Sequence, residues 1–177
     1  MPKVLVTGFR PFSILTRATG NPSQVVAESL GERYVAAAQV EILDADPTCL
    51  ARLESLGKNQ GLTGVLMLGA SIQIAPVVLE LEGVSKADGL LGARKHKIAS
   101  TAASDLQAYA RSIGVPSATA PITPLVYWCL RSYAAALEWA EPRNVPCIFL
   151  PVNTLRLSPD DQVQTASRFF EKIRGGG

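Results

Sequence analysis

Residues 3–12 read K-V-L-V-T-G-F-R-P-F, and residues 21–23, which follow shortly afterwards, read N-P-S. The apolar, β-branched run at 4–6 is typical of a strand that is covered on both faces, as in a parallel sheet. Open α/β sheets bind ligands at the carboxyl ends of their strands, so Phe9 and Phe12 are expected to line a pocket there. Packing of both rings in the core under a loop is an equally good interpretation.

The rest of the chain continues this alternation of strand-like and helical stretches. Further strands are predicted at 40–43, 65–68, 77–79, around 117–120 and at 147–150. Helices are predicted between most of them, at 22–30, 47–56, 104–113 and 125–139, and after the last strand at 159–173. This alternation predicts an α/β fold with a mostly parallel sheet.

Local signals predict where these helices begin and end. The predicted caps are Asn21, Ser104 and Ser158, and the predicted glycine stops are Gly31, Gly57 and Gly114. The segment 85–99 is basic and interrupted by glycines, so it is predicted to be a long mobile loop.

Length and composition limit the class of protein. At 177 residues the chain is predicted to be one domain over 1–177, with 175–177 as a disordered tail. The 17 basic and 15 acidic residues leave a net charge of +2, which gives no electrostatic argument for nucleic acid or an anionic membrane as a partner. A small molecule or a peptide is the expected partner. No membrane span or signal peptide is recognised, so a cytoplasmic protein is expected.

The three cysteines differ in their expected roles. Their odd number and wide separation suit reduced thiols rather than disulfides or a metal site. Cys129 falls in the first turns of a predicted helix, where free N–H groups and the helix dipole favour a thiolate, so it is the candidate nucleophile. Cys49 and Cys147 are expected to be buried and inert, and an inert buried thiol is the alternative interpretation of Cys129 as well. Glu80 ends the apolar run 77–79 and is the candidate carboxylate, with an exposed surface charge as the alternative.

These residues together resemble the pyroglutamyl peptidase I family, cysteine peptidases that remove an N-terminal pyroglutamate from peptides. The G-F-R-P-F and N-P-S blocks resemble that family's opening signature, and Tyr127-Trp128-Cys129 resembles the stretch around its nucleophile. The resemblance implies a three-layer α/β/α sandwich, no cofactor and a homo-oligomer. It also implies that Glu80 is the triad glutamate, that Phe9 and Phe12 enclose the lactam ring, and that Asn21 and Ala70 belong to the substrate site.

One departure from the family concerns the general base. The family's triad histidine falls at Phe149 within C-I-F-L-P, and a phenyl ring can neither accept nor return a proton. The one histidine of the chain, His96, lies among Arg94, Lys95 and Lys97, and is expected to be an exposed residue with depressed basicity. The resemblance therefore predicts a weak or inactive peptidase.

Other departures affect the binding groups. The family's glycine-rich turn corresponds to residues 69–74, G-A-S-I-Q-I, where apolar residues replace polar donors. Pro121 and Pro124 precede Cys129 and remove N–H groups that an oxyanion hole would use. Three hypotheses remain open: a residually active peptidase, a non-catalytic relative that binds a small ligand, and an interaction module that uses the segment 85–99.

Overall fold

A computed structural model describes residues 3–11, 20–70, 78–88, 93–118, 128–153 and 157–175. Its strands are β1 (Lys3–Phe9), β2 (Ala38–Leu43), β3 (Leu62–Ala70), β4 (Leu79–Glu80), β5 (Glu82–Asp88), β6 (Ala93–Ala99), β7 (Ser117–Ala118) and β8 (Cys147–Val152). Its helices are α1 (Pro22–Arg33), α2 (Thr48–Gly57), α3 (Ala103–Ser112), α4 (Trp128–Ala140) and α5 (Pro159–Arg174), with a 3₁₀ turn at Glu141–Arg143.

Six strands form one sheet in the order β2-β1-β3-β8-β4-β7. All neighbouring pairs are parallel except β4 with β8. Along β1, Val4 and Val6 pack on the side of α1 and α5, whereas Leu5 and Phe9 pack on the side of α2 and α4. Because successive residues of a strand point to opposite faces, the two apolar cores lie on opposite sides of the sheet. The predicted mostly parallel α/β fold is confirmed.

Several predicted helix signals are confirmed. The side chain of Asn21 caps α1, with Pro22 at the first helical position. The Ser158 hydroxyl caps α5 by accepting from the Asp161 N–H. Gly114 follows α3 with a φ of +73°, the left-handed conformation in which glycine commonly ends a helix.

Two helix predictions are wrong. α1 continues through Gly31 to Arg33, and a Cβ placed on Gly31 would lie 2.6 Å from Cγ2 of Val40 in β2. This glycine therefore permits close packing of helix on strand and does not end the helix. Ser104 is also not a cap: α3 begins at Ala103 after Ala102, without a side-chain cap.

The prediction of a long loop at 85–99 is wrong as well. Residues Glu82–Asp88 and Ala93–Ala99 are β5 and β6, which pair antiparallel as a separate two-stranded sheet. Backbone pairing between the two segments creates these strands, and their charged sequence lacks the apolar alternation by which strands are recognised. The strand predicted at 77–79 is displaced to Leu79–Glu80, and residue 77 lies outside the described residues.

None of the helices in the described part of the chain combines the length and apolarity that a bilayer crossing requires. Likewise, the described residues contain no group of three or more histidine, cysteine, aspartate or glutamate side chains that could hold a metal ion.

Candidate active site

The N-P-S motif joins the end of β1 to the start of α1. The backbone N–H of Phe9 donates to Ser23 Oγ at 3.0 Å. The Ser23 hydroxyl and N–H donate to Asn21 Oδ1 at 2.8 and 3.1 Å, and Asn21 Nδ2 donates to the Arg10 carbonyl at 3.3 Å. Both polar atoms of the buried Asn21 side chain are thus used within the chain.

Substituting Asn21 by alanine tests this structural role. The change removes the acceptor for Ser23 and the donor to Arg10, so we expect the free energy of unfolding to fall by about 1–2 kcal/mol. Urea denaturation of Asn21→Ala measures the loss, and Asn21→Asp, which keeps the acceptor, should lose less. Equal stability of Asn21→Ala and the unchanged chain would contradict the role.

Phe9 lies in the core and not on an open wall. Its side chain is buried in the apolar cluster that also contains Leu43, Cys49 and Phe149. The sequence left two interpretations of Phe9 open, packing in the core and lining a pocket. Packing in the core describes its position better. Phe12 lies outside the described residues. Ala70, the last residue of β3, is partly exposed and pairs with Val152.

Glu80 and Phe149 are directly opposite each other on neighbouring strands. Glu80 ends β4 and pairs with Phe149 of β8 at the antiparallel junction of the sheet. Both side chains are buried, which excludes the exposed-charge alternative for Glu80. Paired residues point to the same face of a sheet, so the carboxylate and the phenyl ring lie on one side of it.

Cys129 is close to the same ring. A Cβ placed on Gly69 of β3 would lie 2.8 Å from Cε2 of Phe149 and 3.7 Å from Cβ of Cys129. The space beside Gly69 is therefore bounded by the phenyl ring on one side and the cysteine on the other. Glu80, Phe149 and Cys129 thus meet on one face of the sheet although they lie on three different elements.

The Cys129 thiol is not activated in this arrangement. Burial raises its pKa to about 12, and the negative charge of Glu80 contributes to the rise. The backbone N–H groups of Leu130 and Cys129, at the start of α4, act in the opposite direction but are outweighed. The expectation that the helix terminus lowers this pKa is therefore wrong, because desolvation and a like charge are stronger at this position.

Tyr133 connects the three elements and was missed by the sequence reasoning. Its hydroxyl lies 3.0 Å from the Glu80 carbonyl oxygen and 3.2 Å from the Cys147 carbonyl oxygen, both of which can accept its proton. Its ring stacks on Phe149 with the centroids 5.6 Å apart. The sequence signal that could have identified Tyr133 is its position four residues, or about one helical turn, after Cys129. The many apolar residues of α4 obscure this signal.

The other two cysteines are buried, as expected. Cys49 Sγ lies 3.0 Å from the Ser132 hydroxyl, which itself donates to the Trp128 carbonyl. Burial raises the pKa of both Cys49 and Cys147. His96 lies in β6 opposite Lys86, in a different sheet from Glu80 and Phe149.

Comparison with known proteins defines the class of this fold. No family model and no curated protein sequence matches the chain. Solved structures do match: the pyrrolidone carboxyl peptidase of Thermus thermophilus is 24% identical, covers 96% of this chain and 99% of its own, and has a TM-score of 0.68. The Thermococcus litoralis pyrrolidone carboxyl peptidase is 17% identical over 98% and 93%, with a TM-score of 0.73.

A third match is pyroglutamyl peptidase I of Bacillus amyloliquefaciens, 16% identical over 98% of this chain and 95% of its own, with a TM-score of 0.68. The chain therefore has the pyrrolidone carboxyl peptidase fold over nearly its whole length. The fold expected from the sequence resemblance is confirmed.

Proposed function

We propose that this chain is a pyroglutamyl-peptidase-like protein that keeps the fold and the cysteine but does not hydrolyse peptides efficiently. The observation that carries the proposal is the position of Phe149, opposite Glu80 and close to Cys129. A thiol–imidazole–carboxylate triad needs its base between the sulfur and the acid. The residue that lies opposite Glu80 and close to Cys129 is a phenylalanine, which supports the absence of such a base.

The chemistry of peptide hydrolysis explains why this substitution matters. The sulfur must lose its proton before it attacks the scissile carbonyl carbon, and the leaving amine must then gain a proton. Phe149 can do neither. Glu80 does not substitute for it: burial is the main cause of the raised pKa of Cys129, and the negative charge of Glu80 adds to the rise, so this carboxylate disfavours the thiolate.

The remaining features of the proposal follow from the same resemblance. The ligand we propose is an N-terminal pyroglutamyl peptide or a small lactam, bound without being cleaved, with no cofactor or metal. We also propose a cytoplasmic homo-oligomer. The names of the matching solved proteins support the choice of ligand.

A fluorogenic pyroglutamyl substrate tests the proposal. Loss of one triad member lowers turnover by about 10⁴-fold, so we expect the chain to be slower than a pyrrolidone carboxyl peptidase assayed beside it by at least that factor. Cys129→Ala should leave any residual rate unchanged, which would identify it as background. Faster turnover that disappears in Cys129→Ala would contradict the proposal.

A further inference from the structure

The net positive charge of the chain is concentrated in one structural unit. We call β5 and β6 (Glu82–Asp88 and Ala93–Ala99) together the basic hairpin. It holds four of the 17 basic residues and two of the 15 acidic ones, so the rest of the chain carries 13 of each and is neutral. The cations are Lys86, Arg94, Lys95 and Lys97, and the single histidine lies among them.

The strand register brings these residues together. Lys86 pairs with His96, Lys97 with Val84 and Arg94 with Ala87, and the register shifts on both sides of Lys86. A two-stranded ribbon is only marginally stable by itself, so a strand added to β5 and β6 would stabilise them.

The base of the basic hairpin is fixed to the candidate active-site helix. A Cβ placed on Gly83 of β5 would lie 2.7 Å from both the N and the Cα of Ala134 in α4. The strand backbone therefore approaches the helix backbone as closely as glycine allows. Within the part of the chain that the structure describes, neither β5 nor β6 pairs with a third strand.

We propose that the basic hairpin binds an acidic, extended peptide segment of a partner protein along the edge of β6. An added strand would pair with the edge of β6 that lies away from β5, and its carboxylates would compensate the charges of Arg94, Lys95 and Lys97. This inference concerns a different surface from Cys129 and does not depend on whether Cys129 has peptidase activity.

The composition of the hairpin favours a peptide over a nucleic acid. Residues 82–99 contain no tyrosine, tryptophan or phenylalanine. Proteins that bind single-stranded nucleic acid combine cations with aromatic side chains on which the bases stack. The remainder of the chain carries 13 basic and 13 acidic residues, so its net charge gives no argument for duplex binding.

Fluorescence anisotropy with a labelled ten-residue peptide of alternating glutamate and valine tests the proposal on the full chain. We expect binding that weakens as NaCl rises, and at least about tenfold weaker binding when glutamine replaces every glutamate. Lys95→Glu/Lys97→Glu should weaken binding at least about tenfold. The control Arg168→Glu/Lys172→Glu makes the same charge change at two exposed positions of α5 and should bind as the unchanged chain does.

Four results would overturn the inference: no binding of the acidic peptide, equal losses in the hairpin and control variants, tighter binding of duplex DNA or anionic vesicles than of the peptide, or salt-sensitive self-association through the hairpin. Circular dichroism checks that the variants are folded. If the charge reversal prevents folding, Lys95→Gln/Lys97→Gln replaces it and should still weaken binding measurably.

Discussion

Substituting Phe149 by histidine is expected to raise the rate at which iodoacetamide alkylates Cys129 at pH 7 by at least about 100-fold. With the pKa of Cys129 raised to about 12, only about one molecule in 10⁵ carries the thiolate at that pH. An imidazole beside Glu80 would accept the thiol proton and remain charged against the carboxylate. A fall of about four pKa units multiplies the thiolate fraction by about 10⁴, and the lower intrinsic nucleophilicity of the less basic thiolate offsets about 100-fold of that gain, which leaves about 100-fold.

Two further variants distinguish the effect of a new base on the alkylation rate from the effect of looser packing at residue 149. Phe149→Leu opens the same site without supplying a proton acceptor, so its alkylation rate should change by no more than a few-fold. Phe149→His with Glu80→Gln should lose much of the gain, because the imidazolium no longer faces a carboxylate. Mass spectrometry of the Cys129 peptide measures each rate. A histidine variant that reacts as slowly as the unchanged chain would show that the ring position does not reach the sulfur.

Gly8→Ala is expected to lower the free energy of unfolding by about 3 kcal/mol, which for a chain of this size lowers Tm by roughly 6–12 °C. A Cβ on Gly8 would overlap the carbonyl oxygen of Ser23 and would lie 2.8 Å from its carbonyl carbon and 2.9 Å from Cα of Gln24. All three are backbone atoms and cannot rotate away. α1 must therefore move from β1, which breaks the hydrogen bond from Phe9 to the Ser23 hydroxyl.

Gly64→Ala is the matched control for this prediction. Gly64 also lies within a strand, β3, but a Cβ there would meet only side-chain atoms of Ile173, at 3.4–3.5 Å, which is ordinary contact. The free energy of unfolding of Gly64→Ala should stay within about 1 kcal/mol of that of the unchanged chain. Alanine restricts the unfolded chain more than glycine does, and this gain offsets the small packing adjustments around the new methyl group. Thermal and urea unfolding compare the two variants. Equal stability of both would mean that α1 does not pack as tightly on β1 as described.

Local sequence signals correctly predicted the helix starts and ends that depend only on neighbouring residues. Asn21 with Pro22, and Ser158 with Pro159, mark helix starts because the capping group lies within three residues of the N–H that it serves. Gly114 marks a helix end because its backbone conformation is intrinsically accessible to glycine. The same reasoning failed at Gly31, since that glycine is required by Val40 on another element.

The sequence alone determined the alternation of strands and helices and the helix boundaries at Asn21, Ser158 and Gly114, because each is a property of neighbouring residues. The tertiary structure decided that Phe149 lies opposite Glu80 and near Cys129, that the Cys129 pKa rises instead of falling, and that 82–99 contains two paired strands. Each of these depends on register and burial between segments that are distant along the chain, and no local pattern encodes them.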